Sequence, residues 1–114
     1  MKSKRSNRAI ATDITPETKK IVWERDNHRC VVCGNTYNVM PNAHYIPRRK
    51  GGLGIERNIV TLCTELTKNK CHRKFDFGTK QERAFYKEKI RNYLISKYPD
   101  WDESKLYFKN KWMK

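Results

Sequence analysis

Four cysteines are the residues whose type and spacing most directly predict chemistry. Cys30 and Cys33 are separated by two residues, and Cys63 and Cys71 by seven. A Cys-X-X-Cys turn aims two thiolates at one ion, and a second pair completes the ligand set of a structural zinc site. The alternative is four unliganded buried thiols, but a short hydrophilic chain has little core to hold them. We therefore predict that Zn²⁺ stabilises the fold and, with all four positions taken by sulfur, does no catalysis.

His44, Asn58 and His72 form a second set of candidates. Each has an ordinary explanation when taken alone, as a strand, turn or surface residue, and His28 beside the first cysteine pair is a possible substitute zinc ligand. Hydrolysis of a phosphodiester needs a group that takes a proton from water and a cation that stabilises charge on the phosphate. A neutral imidazole is suited to the first task near pH 7.

The order of these features resembles the HNH endonuclease family. The matching segments are Ala43-His44-Tyr45-Ile46-Pro47, then Gly51 to Asn58, then Cys63 to Cys71-His72, and residues 98–111 resemble the tails of small HNH proteins of bacteriophages and prophages. The resemblance implies an α+β fold, namely a zinc-stabilised ββα-metal domain with flanking helices. The core motif of this domain would cover residues 30–76. It also implies a metal-dependent DNA endonuclease in the cytoplasm of a bacterial host, processing phage genomes with a terminase.

The resemblance also implies roles for individual residues. His44 would be the general base, Asn58 would brace the loop or bind metal, and His72 would bind a second, catalytic cation, Mg²⁺ or Mn²⁺. Relatives usually carry Asp or His just before the base, where this sequence has Ala43. Asp76 lies four residues after His72, on the same face of a helix, and we nominate it as the second ligand. Water, the substrate phosphate and either Asn58 or Asn42 would complete the shell.

The charge of the chain favours a polyanionic partner. Its 26 Lys and Arg exceed its 12 Asp and Glu, which gives a net charge of +14. No apolar run approaches the ~18 residues of a membrane span, and the first residues lack the apolar region of a secretion signal, so DNA in the cytoplasm is the expected partner. The basic residues expected to contact phosphates are Arg48, Arg49, Lys50, Arg57, Arg73 and Lys74.

Two other functions remain open from the sequence. Ala43 leaves a catalytically weak, zinc-knuckle DNA-binding accessory protein as one alternative. A site-specific restriction or homing nuclease is the other, although no recognition helix is evident. The oligomeric state is not predicted.

The elements that position these residues are predicted from local signals. Thr15 and Pro16 begin a helix that reaches about Asp26, and a helix from Cys71 to Asp76 ends at Gly78. Two short strands are expected within residues 37–46, with a bend near Asn42, and an apolar run at 59–62 leads into Cys63. Residues 47–54, rich in glycine and basic residues, should form a flexible loop.

The two ends of the chain are predicted to differ. Residues 1–14 are expected to be a disordered basic arm, and residues 15–114 a single domain. Thr79 and Glu82 have the spacing of a capping box that begins a helix ending before Pro99, and part of the tail 101–114 should pack on the domain. Four residues share the buried face of this helix: Tyr86, Ile90, Tyr93 and Leu94.

Overall fold

The chain forms a small α+β fold in a computed structural model that describes residues 6–109. Two antiparallel strands, four α-helices and three short 3-10 turns are present in these residues. No helix among them is long and apolar enough to cross a membrane. The elements in chain order are α1 (Asn7–Thr12), α2 (Pro16–Arg25), β1 (Val39–His44), β2 (Ile59–Cys63), α3 (Cys71–Phe77) and α4 (Lys80–Lys97). The 3-10 turns are Arg48–Lys50, Glu56–Asn58 and Glu103–Leu106.

Strands β1 and β2 form one antiparallel hairpin with an irregular register. Val39 lies opposite Cys63 and His44 opposite Ile59, but the pairing is interrupted between Met40 and Ala43. Pro41 falls in this interruption, where its lack of an N–H costs no ladder hydrogen bond. The prediction of two strands within residues 37–46 is therefore wrong. That segment is one strand, and its partner lies beyond the loop.

Helices α2, α3 and α4 match the sequence signals. The Thr15 side chain accepts a hydrogen bond from Thr18 N at the start of α2, and α3 ends at Gly78. Helix α4 begins with both hydrogen bonds of the Thr79–Glu82 capping box. Because α3 follows β2 directly in the topology, the hairpin and α3 make a strand, strand, helix unit.

The core lies between this unit, α4 and the C-terminal turn. Helix α4 buries Tyr86, Ile90 and Leu94, as predicted, while Tyr93 is half-buried. Leu106 is buried in the same cluster and Phe108 N donates to the Gly51 carbonyl, which confirms that the tail packs on the domain as far as Phe108. The remainder of the tail, 110–114, lies outside the described residues.

Helix α1 contradicts the prediction of a disordered arm over residues 7–12, and residues 1–5 lie outside the described residues. The Ser6 side chain caps the helix, and Gly54 N donates to the Ala11 carbonyl at 2.9 Å. Arg8 Nη2 donates to two carbonyls of the turn Arg48–Lys50, at 3.1 and 2.7 Å. This helix is stabilised by contacts with a distant loop, which an amphipathic pattern does not record.

Residues 51–54, which we term the glycine loop, are packed against the rest of the fold, in a region where the sequence predicts a flexible loop. A Cβ at Gly52 would overlap the carbonyl oxygen of Ile46, and one at Gly54 would overlap that of Asp13. Gly52 also pairs with Tyr107 in an isolated antiparallel bridge. The glycines are needed because other backbone approaches them closely.

Candidate functional site

The four cysteine thiols converge at one point, as predicted. All four Sγ atoms lie within 4.8 Å of one another. Cys30 and Cys33 come from the turn after α2, Cys63 ends β2 and Cys71 begins α3. Sulfurs bound to a tetrahedral Zn²⁺ at ~2.3 Å would be about 3.8 Å apart, so the cluster has the right donor set and size for this ion. His28 is not part of the cluster, because its ring stacks on Trp23 with centroids 4.8 Å apart.

Hydrogen-bond donors surround the sulfurs. Tyr86 OH donates to Cys71 Sγ at 3.4 Å, and Cys33 N to Cys30 Sγ at 3.5 Å. Such donors stabilise thiolate ligands and fix their orientation. The Cys71 side chain hydrogen-bonds to Cys30 and lowers the pKa of that thiol to about 4, whereas burial raises the pKa of Cys63 to about 11. One thiolate is thus favoured before metal binds, and metal binding must displace the proton of Cys63.

A second site is an open cavity between β1, α3 and the turn Arg48–Lys50, which we term the basic turn. We term this site the histidine cavity. Its volume is about 280 Å³. It brings His44, His72 and Asp76 together and leaves out Asn58. The lining residues are Asn42, His44, Pro47, Arg48, Arg49, His72, Asp76 and Phe77.

The His44 ring is held by helix α1. Its Nε2 atom lies 2.8 Å from the Thr12 carbonyl oxygen. A carbonyl can only accept, so this contact places the ring proton on Nε2 and leaves the lone pair of a neutral ring on Nδ1. Burial lowers the pKa of His44 from its usual 6.5, and the nearby charge of Arg48 acts in the same direction. His44 is consequently neutral at pH 7, with one nitrogen free to accept a proton.

Asn58 braces the loop. Its side chain is fully buried, and Oδ1 accepts from Ile46 N at 2.8 Å. Nδ2 donates to the carbonyls of Ile46 and Leu53, at 3.1 and 2.8 Å. Both polar atoms are already engaged with backbone, so the geometry favours the bracing role over metal binding.

His72 and Asp76 form a pair one helical turn apart on α3. His72 Nε2 lies 3.1 Å from Asp76 Oδ2, and both side chains are partly exposed to the histidine cavity. Ala43 is fully buried in the core and contributes no ligand. Asn42 also lines the cavity, and its buried Oδ1 has no hydrogen-bond partner among the described residues.

The predicted phosphate-contacting residues fall into two groups. Arg48 and Arg49 line the histidine cavity, and Arg48 also pairs with Asp13. Arg57 Nη1 lies 2.9 Å from Asp100 Oδ1, and Arg73 Nη1 lies 2.7 Å from Glu65 Oε1, so both guanidinium groups already face a carboxylate. Lys50 lines a neighbouring cavity, and Lys74 is half-buried on α3. Contact with DNA stays a prediction for all six.

Comparison of the chain with protein-family models, curated proteins and solved structures finds no match. The HNH resemblance therefore depends on the sequence motif alone.

Proposed function

We propose that the protein is a metal-dependent DNA endonuclease with a ββα-metal domain of the HNH type. The observation that carries the proposal is the histidine cavity, where His44 of β1 meets His72 and Asp76 of α3. The order β1, β2, α3 and the cysteine cluster that ties α2, β2 and α3 together support it.

His44 performs the proton transfer. Its Nδ1 takes a proton from the attacking water, while the Thr12 carbonyl keeps the other ring proton on Nε2 and stabilises the imidazolium that forms. Asn58 holds the backbone that follows β1, so the ring keeps its position relative to α3. General bases of this kind contribute roughly 10²- to 10⁴-fold in rate.

His72 and Asp76 are the proposed ligands of the catalytic cation. Adjacent ligand atoms on an octahedral ion at ~2.1 Å are about 3.0 Å apart, and the His72 Nε2 to Asp76 Oδ2 distance is 3.1 Å. Asn42 Oδ1 is the third candidate ligand and replaces in part the residue missing at Ala43. Mg²⁺ or Mn²⁺ bound there would stabilise charge on the scissile phosphate.

DNA supplies the phosphate. Arg48 and Arg49 border the histidine cavity, and the net charge of +14 attracts DNA of any sequence. Affinity should accordingly fall steeply with salt. Genome processing beside a phage terminase is the setting that the family resemblance implies.

The test is cleavage of supercoiled plasmid by zinc-loaded protein with Mg²⁺, with Mn²⁺ and without added cation. Wild type should cut only with added cation, and His44→Ala should lose at least about 100-fold in rate. His28→Ala is the matched control, because that histidine stacks on Trp23 away from the site. Intact plasmid under every condition would overturn the proposal.

A zinc-knuckle DNA-binding accessory protein is the second candidate, favoured by the burial of Ala43 where relatives have a ligand. The same digest separates the two, since an accessory protein would retard plasmid without cutting it. Discrete fragments from linear DNA would instead indicate the third function, a site-specific restriction or homing nuclease.

A further inference from the structure

A second cavity lies beside the histidine cavity, and we term it the aromatic cavity. It has a volume of about 260 Å³ and is bordered by the segment after β1, by α3 and α4, and by Tyr107 of the tail. Three aromatic side chains line it: Tyr107 is half-buried, and Tyr45 and Phe75 belong to the buried core, so Tyr107 is the ring available for stacking. This volume lies just below the range for small-ligand sites, which begins at about 300 Å³, so the cavity suits one ligand of modest size.

The rim of the aromatic cavity carries strong positive charge. Helix α4 contributes Lys80, Arg83 and Lys87, whose spacing of three and four residues places them on one face. Arg49 and Lys50 border the cavity from the basic turn. The carboxylate among the described lining residues is that of Asp76, which already pairs with His72. Five cations therefore surround an aromatic lining with one acidic group among them.

This combination selects the ligand. A free phosphate would interact with the cations but not with the aromatic lining. An apolar ligand would contact the aromatic lining but would leave the five cations unpaired. A nucleotide has both an anionic phosphate and a flat base that stacks on aromatic side chains. The faces of bases within a duplex are covered by their neighbours, so only an unpaired nucleotide can present its base to a concave site.

The two cavities share a wall. Pro47, Arg49 and Asp76 line both of them. We propose that the aromatic cavity binds one unpaired nucleotide of a DNA strand whose neighbouring phosphate enters the histidine cavity. The preferred substrate is then single-stranded or locally opened DNA. The position of the scissile phosphate rests on the proposed function, whereas binding of the unpaired nucleotide does not.

Binding is measured by fluorescence anisotropy with zinc-loaded protein and without Mg²⁺ or Mn²⁺, so that no strand is cut. The probes are one labelled single-stranded oligonucleotide and its duplex. The double variant Arg83→Ala/Lys87→Ala should lose about tenfold in affinity for the single strand. Lys89→Ala/Lys97→Ala removes the same charge from exposed positions of α4 that do not line the cavity, and should lose less than about threefold.

Stacking has its own readout. A single strand that contains 2-aminopurine should lose fluorescence when the base stacks in the aromatic cavity. Tyr107→Phe should keep this quenching, and Tyr107→Ala should lose most of it while circular dichroism shows the fold intact. If Tyr107→Ala unfolds, the same comparison is made with Arg83→Ala/Lys87→Ala, whose side chains are exposed.

The outcomes are distinguishable from those of the nuclease test. Tighter binding of the single strand, with loss in the cavity variant only, supports the inference even if no plasmid is cut. Equal binding of single strand and duplex overturns it, and so do equal losses in the cavity and control variants. Plasmid cleavage together with either of these results would leave the endonuclease proposal standing without the nucleotide site.

Discussion

The Nε2 atom of His44 lies 2.8 Å from the carbonyl oxygen of Thr12, so the proposed base is oriented by a helix that precedes the rest of the site in the chain. Helix α1 is in turn held by the hydrogen bond from Gly54 N to Ala11 O. The ring position therefore depends on the contact between α1 and the glycine loop.

We expect Gly54→Ala to impair both catalysis and folding. The added Cβ would overlap the Asp13 carbonyl and push away the segment that carries the Thr12 carbonyl. Plasmid cleavage should fall at least about tenfold, with about 1–3 kcal/mol lost from the free energy of unfolding. Cleavage rate and urea unfolding are measured on the same preparation, with zinc content as the check on the cysteine site.

Deletion provides the matched control for this prediction. A chain without residues 1–13 loses α1 and should behave like Gly54→Ala, whereas a chain without residues 1–5 keeps α1 and the Thr12 carbonyl. Full activity in the longer deletion would show that His44 needs no help from α1.

The pH dependence of cleavage should report the burial of His44. Burial lowers its pKa from 6.5, and the ring must be neutral to take a proton. The rate should be near its maximum at pH 7 and fall as the pH drops through a midpoint below 6.5. Initial rates at saturating Zn²⁺ and Mn²⁺ measure this, and a midpoint above 6.5 would contradict the assignment.

The same pKa shift has a consequence for stability. Because the folded-state pKa of His44 lies below its unfolded value of 6.5, the unfolded chain binds the proton first. The contribution to stability is complete above pH 6.5 and decreases as the pH falls from 6.5 toward the folded-state pKa. His44→Gln should remove this part of the pH dependence of urea unfolding, and His28→Gln should not.

Asn58→Asp separates bracing from metal binding. In the wild type, Asn58 Nδ2 donates hydrogen bonds to the carbonyls of Ile46 and Leu53. The substitution keeps the shape of the side chain but places an oxygen, which cannot donate, next to these carbonyls. The free energy of unfolding should fall by about 3 kcal/mol, and cleavage should fall with it. Asn92→Asp, an exposed position on α4, makes the same change of charge and should alter neither. A metal ligand would respond differently, with tighter Mn²⁺ binding in Asn58→Asp.

Local signals in the sequence were sufficient for three helices and for the cysteine cluster. The capping box of α4 involves residues three apart, and the turn at Cys30 and Cys33 is equally local, so both are readable without the fold. His72 and Asp76 are also correctly placed together, because one helical turn separates them.

Long-range contacts account for what the sequence did not predict. The partner of β1 is β2, beyond the loop, and no local signal shows that the segment around Asn42 is one strand and not two. Helix α1 has no apolar period and is stabilised by the glycine loop, which no pattern within it reveals. The aromatic cavity combines residues from the segment after β1, the basic turn, α3, α4 and the tail. Nothing in the sequence indicates that Lys80, Arg83 and Lys87 of α4 line the same cavity as Tyr107.

Tyr86→Phe should weaken zinc binding. The control substitution Tyr93→Phe should not weaken it comparably. The Tyr86 hydroxyl donates to Cys71 Sγ at 3.4 Å, and loss of an outer-shell donor lowers metal affinity by about 10- to 100-fold. Tyr93→Phe also removes one hydrogen-bonded hydroxyl from α4, but its partner is Asp26, at 2.6 Å, and not a cysteine. Competition with a chelating dye measures the affinity for Zn²⁺, and the visible spectrum of the Co²⁺ form shows whether four thiolates still bind. Equal losses in the two variants would mean that zinc affinity follows the stability of the fold, because the hydrogen bond to sulfur would then make no separate contribution.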